Sequence, residues 1–425
     1  MMDLSKAHEL VGALLASMGL VFSSGALSAQ RTWIVDSANG TGTDYIDLDP
    51  AVAAAGAGDT ILVRPGLTVS GVPYSLLRDI TRGLRIVAPG TGAILVDTRG
   101  RRQITIPDTE MLIMDNLRFV SPSGFAGFTL YNCRGTVVLS RLHQEWWDYS
   151  GVGSASQCTR VVWTDCSHTA PWGTTISAHA SKAYVLDSRM ECIHTGNSLS
   201  WPIPTPTITV GTPFTSGAQP PSTAWIVNSY VKGGDIGQFP NWNPPMPALD
   251  VQRGCRAVVA GRSEFVGGWG SARTPGLRVF GDAGRPQDSP GLIALDPLTI
   301  CDGPRETQGG RLEYVHEMPT VSPDDALRGQ PQAIRMIGPS NGIMALFASL
   351  LTARPPLSTP IGDLWLDPAT TVLIGGGAAD ANRNLVLSTT IPSWLQSGEV
   401  FVYQAIAATP SNWLELSPPG FAVVQ

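Results

Sequence analysis

Short apolar runs recur from Leu84 to Ala260, each bounded by turn residues. Leu84-Arg85-Ile86-Val87 is followed by Met111-Leu112-Ile113-Met114, Thr136-Val137-Val138-Leu139, Val161-Val162-Trp163, Tyr184-Val185-Leu186, Trp225-Ile226-Val227 and Val258-Val259-Ala260. Their central residues, Ile86, Ile113, Val137, Val162, Val185, Ile226 and Val259, are spaced by 27, 24, 25, 23, 41 and 33. A recurrence in the mid-twenties marks a solenoid, in which each coil buries its apolar face only against its neighbours. The two long spacings read as coils with loop insertions. The pattern predicts that Val137, Val162, Val185, Ile226 and Val259 stack in register. Cys133, Cys158, Ser181, Ser222 and Cys255 each precede a run by three or four residues, which predicts a ladder of small side chains.

Beyond Pro319–Pro331, which reads as a linker, the texture changes. Seven short apolar or alternating runs between Ala333 and Val424 predict a small β-sandwich. At the other end, Val11 to Phe22 is too short to span a bilayer, and small residues follow up to Ala29. Residues 1–29 therefore read as a secretion signal. Between signal and solenoid, Asp49 is placed as a helix N-cap with Pro50 at the first helical position, and Val52–Ala55 make one apolar turn. Gly56 and Gly58 end the helix, and Thr60–Val63 is a buried strand.

A short helix running straight into a first strand, after Trp33-Ile34-Val35-Asp36-Ser37-Ala38-Asn39-Gly40-Thr41-Gly42, resembles the opening of secreted right-handed parallel β-helix proteins of the pectin-lyase-like group. The resemblance implies an all-β, right-handed parallel β-helix over residues 30–318 with an N-terminal capping helix. Thr390 to Leu395 and Val402 to Ala405 resemble a C-terminal module of bacterial secreted proteins, here 332–425, which implies display or assembly rather than chemistry.

Composition agrees with an all-β solenoid: charged residues are 15%, with 46 Gly and 34 Pro. The net charge of -6 and the lack of a Lys/Arg run argue against nucleic acid. No other apolar segment reaches membrane length. Six cysteines permit a disulfide framework, with expected pairs Cys133–Cys158, Cys166–Cys192 and Cys255–Cys301.

The sharpest chemical motif is a doubled pentapeptide. Asp165-Cys166-Ser167-His168-Thr169 is followed 26 residues later by Glu191-Cys192-Ile193-His194-Thr195, and His143 precedes His168 by 25. These spacings suggest His143, His168 and His194 stacked on three coils beside carboxylates, a proton-transfer arrangement. Two Cys with these His are also a zinc donor set, and simple stacking of repeated residues is the third reading. Arg273-Thr274-Pro275-Gly276-Leu277-Arg278 matches the Arg-x-Pro-x-x-Arg pattern of pectate lyases, which would make Arg273 a base and Arg278 a substrate-carboxylate partner. The companion Trp-x-Asp-His motif is missing, as are the Asn-Thr-Asp and Gly-His-Gly motifs of polygalacturonases. Trp146, Trp147, Trp172, Trp201, Trp242 and Trp269 fall in turns or insertions, where flat rings with a polar edge suit sugars.

These features point to a secreted β-helix that binds an extracellular polysaccharide. Cleavage would use the imidazole stack with Asp165 and Glu191, while Lys182, Arg189 or Arg273 neutralises a uronate carboxylate. The rival is a non-catalytic surface or adhesive scaffold, since the fold hosts both. No cofactor is required by these residues, with a divalent cation such as calcium left open.

Overall fold

The computed structural model describes residues 30–66, 74–90, 92–120, 126–145, 153–170, 174–192, 206–211, 220–235, 246–269, 274–280, 290–315, 317–351, 356–408 and 414–425. From Thr32 to Tyr314 the chain repeats a coil of three strands. Successive coils stack their strands into three parallel sheets of 11, nine and eight strands, called here the first, second and third sheets. The protein is a parallel β-helix followed by antiparallel sheets.

The interior column of the first sheet runs Ile61, Ile86, Met114, Leu139, Trp163, Val185, Ile226, Val259 and Leu295, each paired with the next. All nine belong to one buried core. Val185, Ile226 and Val259 thus stack as the sequence suggests, but Val137 and Val162 do not. Val137 pairs with Val161, and Val138 with Val162. Val138 and Val162 face outward, into a second apolar cluster. The slip has a physical cause. A strand buried on both faces loses the alternation that would fix its register from sequence.

The expected ladder of small residues forms at the corner between third and first sheets. Cys158 N donates to Ser181 Oγ at 2.9 Å, and the amides of Lys182, Thr223, Arg256 and Leu292 donate to the carbonyls of Cys158, Ser181, Ser222 and Cys255. An unforeseen second column, Cys166, Ser188, Ser229 and Ser263, lies at the corner between first and second sheets. There each amide donates to the next hydroxyl at 3.0, 3.1 and 3.2 Å.

The expected disulfides are absent, and all six cysteines are free thiols. Cys166 and Cys192 fail on register. The coil between them is 22 residues, so Ser167 pairs with Arg189, and Cys192 pairs with Ala170. Cys255 precedes a first-sheet strand, whereas Cys301 lies in the second sheet opposite Phe265. Cys133 and Cys158 do meet across adjacent coils. Cys133 also donates to Ile104 O at 3.2 Å and Cys158 to Leu130 O at 3.4 Å.

The capping helix spans Leu48–Ala54, with Asp47 rather than Asp49 as N-cap. Asp47 accepts from Leu48 N at 2.7 Å and from Ser75 N at 2.6 Å. Asp49 instead holds the next coil, accepting from Leu77 N at 2.8 Å and from Arg78 at 2.6 Å. Leu48, Ala51 and Val52 close the end of the solenoid core.

Thr320–Pro323, Pro331–Ile337 and Asn384–Thr390 form a three-stranded antiparallel sheet. Val372–Ala378, Ile343–Leu350, Val400–Ala408, Leu414–Leu416 and Gly420–Val423 form a five-stranded one. Ile334, Met336, Met344, Leu346, Tyr403 and Ala405 are among the residues packed between them. The five-stranded sheet turns its other face to the solenoid. Phe347, Trp365, Val402 and Phe421 cover the outward row Val138, Val162, Tyr184 and Val258. Tyr184 stacks on Trp225 at 4.6 Å, Trp365 meets Tyr184 edge-on at 5.1 Å, and Phe421 meets Trp365 edge-on at 5.4 Å. Beside this pile, Arg383 forms a bidentate ion pair with Asp296, both contacts at 3.0 Å and the side chains only 4% and 0% exposed. The carboxylate also accepts from Leu298 N and Met318 N, so the buried charges are fully bonded.

Two tests follow from this packing. Denatured, unreduced protein should titrate six thiols, and fewer would mean the bridges do form. Arg383→Met leaves Asp296 buried without its counter-charge and should lower unfolding stability by about 3–5 kcal/mol in urea titration; an unchanged midpoint would remove this pair as the pin between the two parts.

Candidate functional site

The structure separates the three imidazoles. His143 pairs with Ser167 and Gln144 pairs with His168, a one-residue slip that puts the two rings on opposite faces of the second sheet. His143 is on the exposed face. His168 points inward opposite Met190 and is 1% exposed. Neither of its ring nitrogens has a hydrogen-bond partner. Burial, assisted by the nearby His143, pushes its pKa down to about 3. The two pentapeptides land differently because their 26-residue separation meets a 22-residue coil. Asp165 sits at the corner with φ of 52°, whereas Glu191 lies in a second-sheet strand opposite Thr169. His194, Arg273, Trp146, Trp147, Trp172, Trp201 and Trp242 lie outside the described residues, as does the segment 1–29. Lys182 belongs to the first sheet and pairs with Asp363 at 3.4 Å. Arg278 is on the third sheet and pairs with Asp250 at 2.8 Å. Among the described residues, no three His, Cys, Asp or Glu side chains converge as a metal site.

The exposed face of the second sheet brings Arg189 and Glu191 together with residues the sequence reading passed over. Its strands alternate. Phe119, Gln144, His168, Met190, Val231 and Phe265 point inward and are buried. The residues between them form two outward rows. One runs Arg118, His143, Ser167, Arg189, Tyr230, Glu264 and Ile300, each paired with the next. The other runs Thr169, Glu191, Lys232, Val266 and Asp302. Arg189 is ion-paired with Glu191, and its guanidinium lies 4.3 Å over the Tyr230 ring. Lys232 binds Asp235 at 2.7 Å, and Asp235 also accepts from Trp269 N at 2.8 Å. That bond anchors the backbone of Trp269, which is 56% exposed. The signal for Tyr230 and Lys232 was strand alternation in Tyr-Val-Lys and Glu-Phe-Val, visible once the coil lengths are known.

A concavity of about 640 Å³ lies where the antiparallel sheets meet the corner between first and second sheets. Arg141, Asp165, Asp187 and Asn228 line it from successive coils, and Ser322, Asp324, Asp325 and Arg335 from the other side. The four coil residues all have positive φ, between 47° and 52°. The sequence carries a trace of this column, since Asn116, Asp165, Asp187 and Asn228 each follow an apolar run, and Asn and Asp tolerate this conformation best. Arg141 binds Asp115, with Nε to Oδ1 at 3.0 Å. Asp187 accepts from Ser322 Oγ at 2.7 Å. Burial raises the pKa of Asp187 to about 7 and that of Asp165 to about 6, with Asp325 adding to the latter.

No family model and no curated protein sequence matches the chain. The solved structures that match include two phage tailspike proteins. The enzymatically active domain of tailspike protein 4 of bacteriophage CBA120 shares 9% identity, with 86% of this chain and 64% of that one covered and a TM-score of 0.32. The tailspike protein of Acinetobacter phage vB_ApiP_P1 shares 10% identity, with 86% and 82% covered and a TM-score of 0.21. This chain therefore spans less than two thirds of the first of them.

The two buried titrations have opposite signs. His168 has a folded pKa below the ordinary 6.5, so stability is full above that value and falls as pH drops toward about 3. His168→Leu should raise the melting temperature at pH 4.5 more than at pH 7.5; a uniform shift would show that proton binding is not the cause. Asp187 has a folded pKa above the ordinary 3.8, so stability falls as pH rises from about 4 through about 7. Asp187→Asn keeps a partner for Ser322 and should stabilise the protein at pH 8 but not at pH 4, read by the same melting curves.

Proposed function

We propose that the protein binds an extracellular polysaccharide along the exposed face of the second sheet. One observation carries the reading. Arg189, Glu191, Tyr230 and Lys232 lie in register on a rigid sheet, flanked by an exposed Trp269. Sugar rings pair apolar faces with hydroxylated rims, and such surfaces are met by aromatic rings beside charged hydrogen-bonding groups. The row from His143 to Ile300 crosses six coils, which at ordinary strand spacing is about 24 Å. That length suits a polymer rather than a monosaccharide.

Binding without cleavage is the better supported form at this face, because His168 is sealed inside, on the opposite side of the sheet from His143. A second reading, hydrolysis, draws on the concavity lined by Asp165 and Asp187, which occupy adjacent coils with raised pKa values. Incubation of purified protein with a polysaccharide panel separates the two. Retention without new reducing ends is expected. Release of reducing ends that Asp165→Asn abolishes would transfer the function to the cleft.

Tyr230→Ala should weaken retention of a bound polysaccharide by about tenfold, roughly 1.4 kcal/mol, through the lost ring and its guanidinium contact. Glycan-array binding beside circular dichroism checks this, and unchanged binding by a folded variant would remove the face from the reading.

A further inference from the structure

We infer that this face takes a neutral, hydroxyl-rich glycan and rejects a polyanionic one, an inference that rests on the glycan-binding reading above. The sequence alone suggests the reverse, with Lys182, Arg189 or Arg273 receiving a uronate carboxylate. Lys182 is on another sheet and paired with Asp363. Arg189 is committed to Glu191 and to the Tyr230 ring, and Lys232 to Asp235. Acidic side chains on or beside the face, Glu191, Asp235, Glu264 and Asp302, outnumber the basic Arg118, Arg189 and Lys232. The whole chain adds a formal charge of -6.

Exchange energetics decide between the two ligand classes. A uronate or sulfate that binds Arg189 must share its guanidinium with Glu191, whose side chain is only 13% exposed. Either two carboxylates then crowd one guanidinium, or the largely buried Glu191 is left without its counter-charge beside the incoming anion. A hydroxyl asks for no exchange. A carboxylate has about four acceptor sites and a guanidinium five donors, so a paired Arg–Glu still accepts from and donates to sugar hydroxyls. Both bonds are then charge-assisted, and the pair stays closed. The same holds for Lys232 and Asp235, to which the backbone of the exposed Trp269 is bonded.

The test compares polygalacturonate with its carboxyl-reduced, neutral galactan within a wider panel of neutral, uronic and sulfated polysaccharides, using the whole purified protein. The wild type should retain neutral polymers. Its affinity should change less than about twofold between about 0.1 M and about 1 M salt, which shortens the screening length from about 10 Å to about 3 Å. A folded variant carrying Glu191→Gln and Asp235→Asn frees both cations and should gain polygalacturonate binding by at least about tenfold, in a salt-sensitive form. Preference of the wild type for polygalacturonate over its reduced form, or a variant that gains nothing, overturns the inference and leaves glycan binding standing. A wild type that retains no polymer of the panel overturns glycan binding itself, and the inference with it.

Discussion

The first sheet is apolar on both faces, and the rest of the structure depends on that. Its inward residues, such as Leu139, Trp163 and Ile226, fill the solenoid. Its outward residues, such as Val138, Val162 and Tyr184, have no solenoid partner and would lie bare in water without the five-stranded sheet over them. Trp365 and Phe421 supply the cover, and the pile Trp225–Tyr184–Trp365–Phe421 fixes its position by ring geometry as well as area. Arg383 and Asp296 add direction. A bidentate pair at 3.0 Å on each arm tolerates little rotation, and once buried it cannot be broken cheaply.

Covering one sheet assigns roles to the others. The second sheet keeps its alternation, with buried residues inward and mostly polar, ionised or aromatic residues outward, as expected of a strand with one face in water. Its charges neutralise each other in place through Arg189–Glu191 and Lys232–Asp235. An exposed face so paired remains rich in hydrogen-bonding groups. The price lies inside the same sheet, where Gln144 and His168 sit side by side with unpartnered polar atoms.

Coil period and ladder position were legible because they depend on spacing alone. The mid-twenties recurrence located the first sheet, and Cys133, Cys158, Ser181, Ser222 and Cys255 do form the corner column. What failed was register at single-residue precision. The doubled Cys-x-His motif, 26 residues apart, looked like one coil, but the local coil is 22. A four-residue error moves Cys192 to the far end of its strand, and the one-residue error at His143 reverses the face of the ring. Both arise where Val161-Val162-Trp163 and Tyr184-Val185-Leu186 are apolar throughout, so no alternation marks which residue faces inward. The uninterrupted runs were themselves a sign that the outer face is covered. The helix start slipped for a different reason, since Asp47 and Asp49 are both able to cap and only the contact of Asp47 with Ser75 on the next coil distinguishes them.

The positions of the inserted segments complete the argument about which faces work. Between first- and second-sheet strands the connections from Asp115 to Tyr230 are one or two residues, as in Asp115 to Leu117, Ser140 to His143, Thr164 to Ser167 and Leu186 to Arg189. Between second and third sheets the chain runs from Cys192 to Ile208 and from Lys232 to Leu249, and between third and first from Val210 to Thr223 and from Phe280 to Leu292. Loop closure costs little per added residue, so entropy does not forbid insertions at the first corner. Packing does. That corner is where Asp165, Asp187 and Asn228 face Ser322, Asp324 and Arg335, and any loop added there would wedge the antiparallel sheets off the first sheet. The insertions therefore collect at the other two corners. One of these borders the exposed rows of the second sheet, so the covering of one sheet decides where the chain can be lengthened beside another.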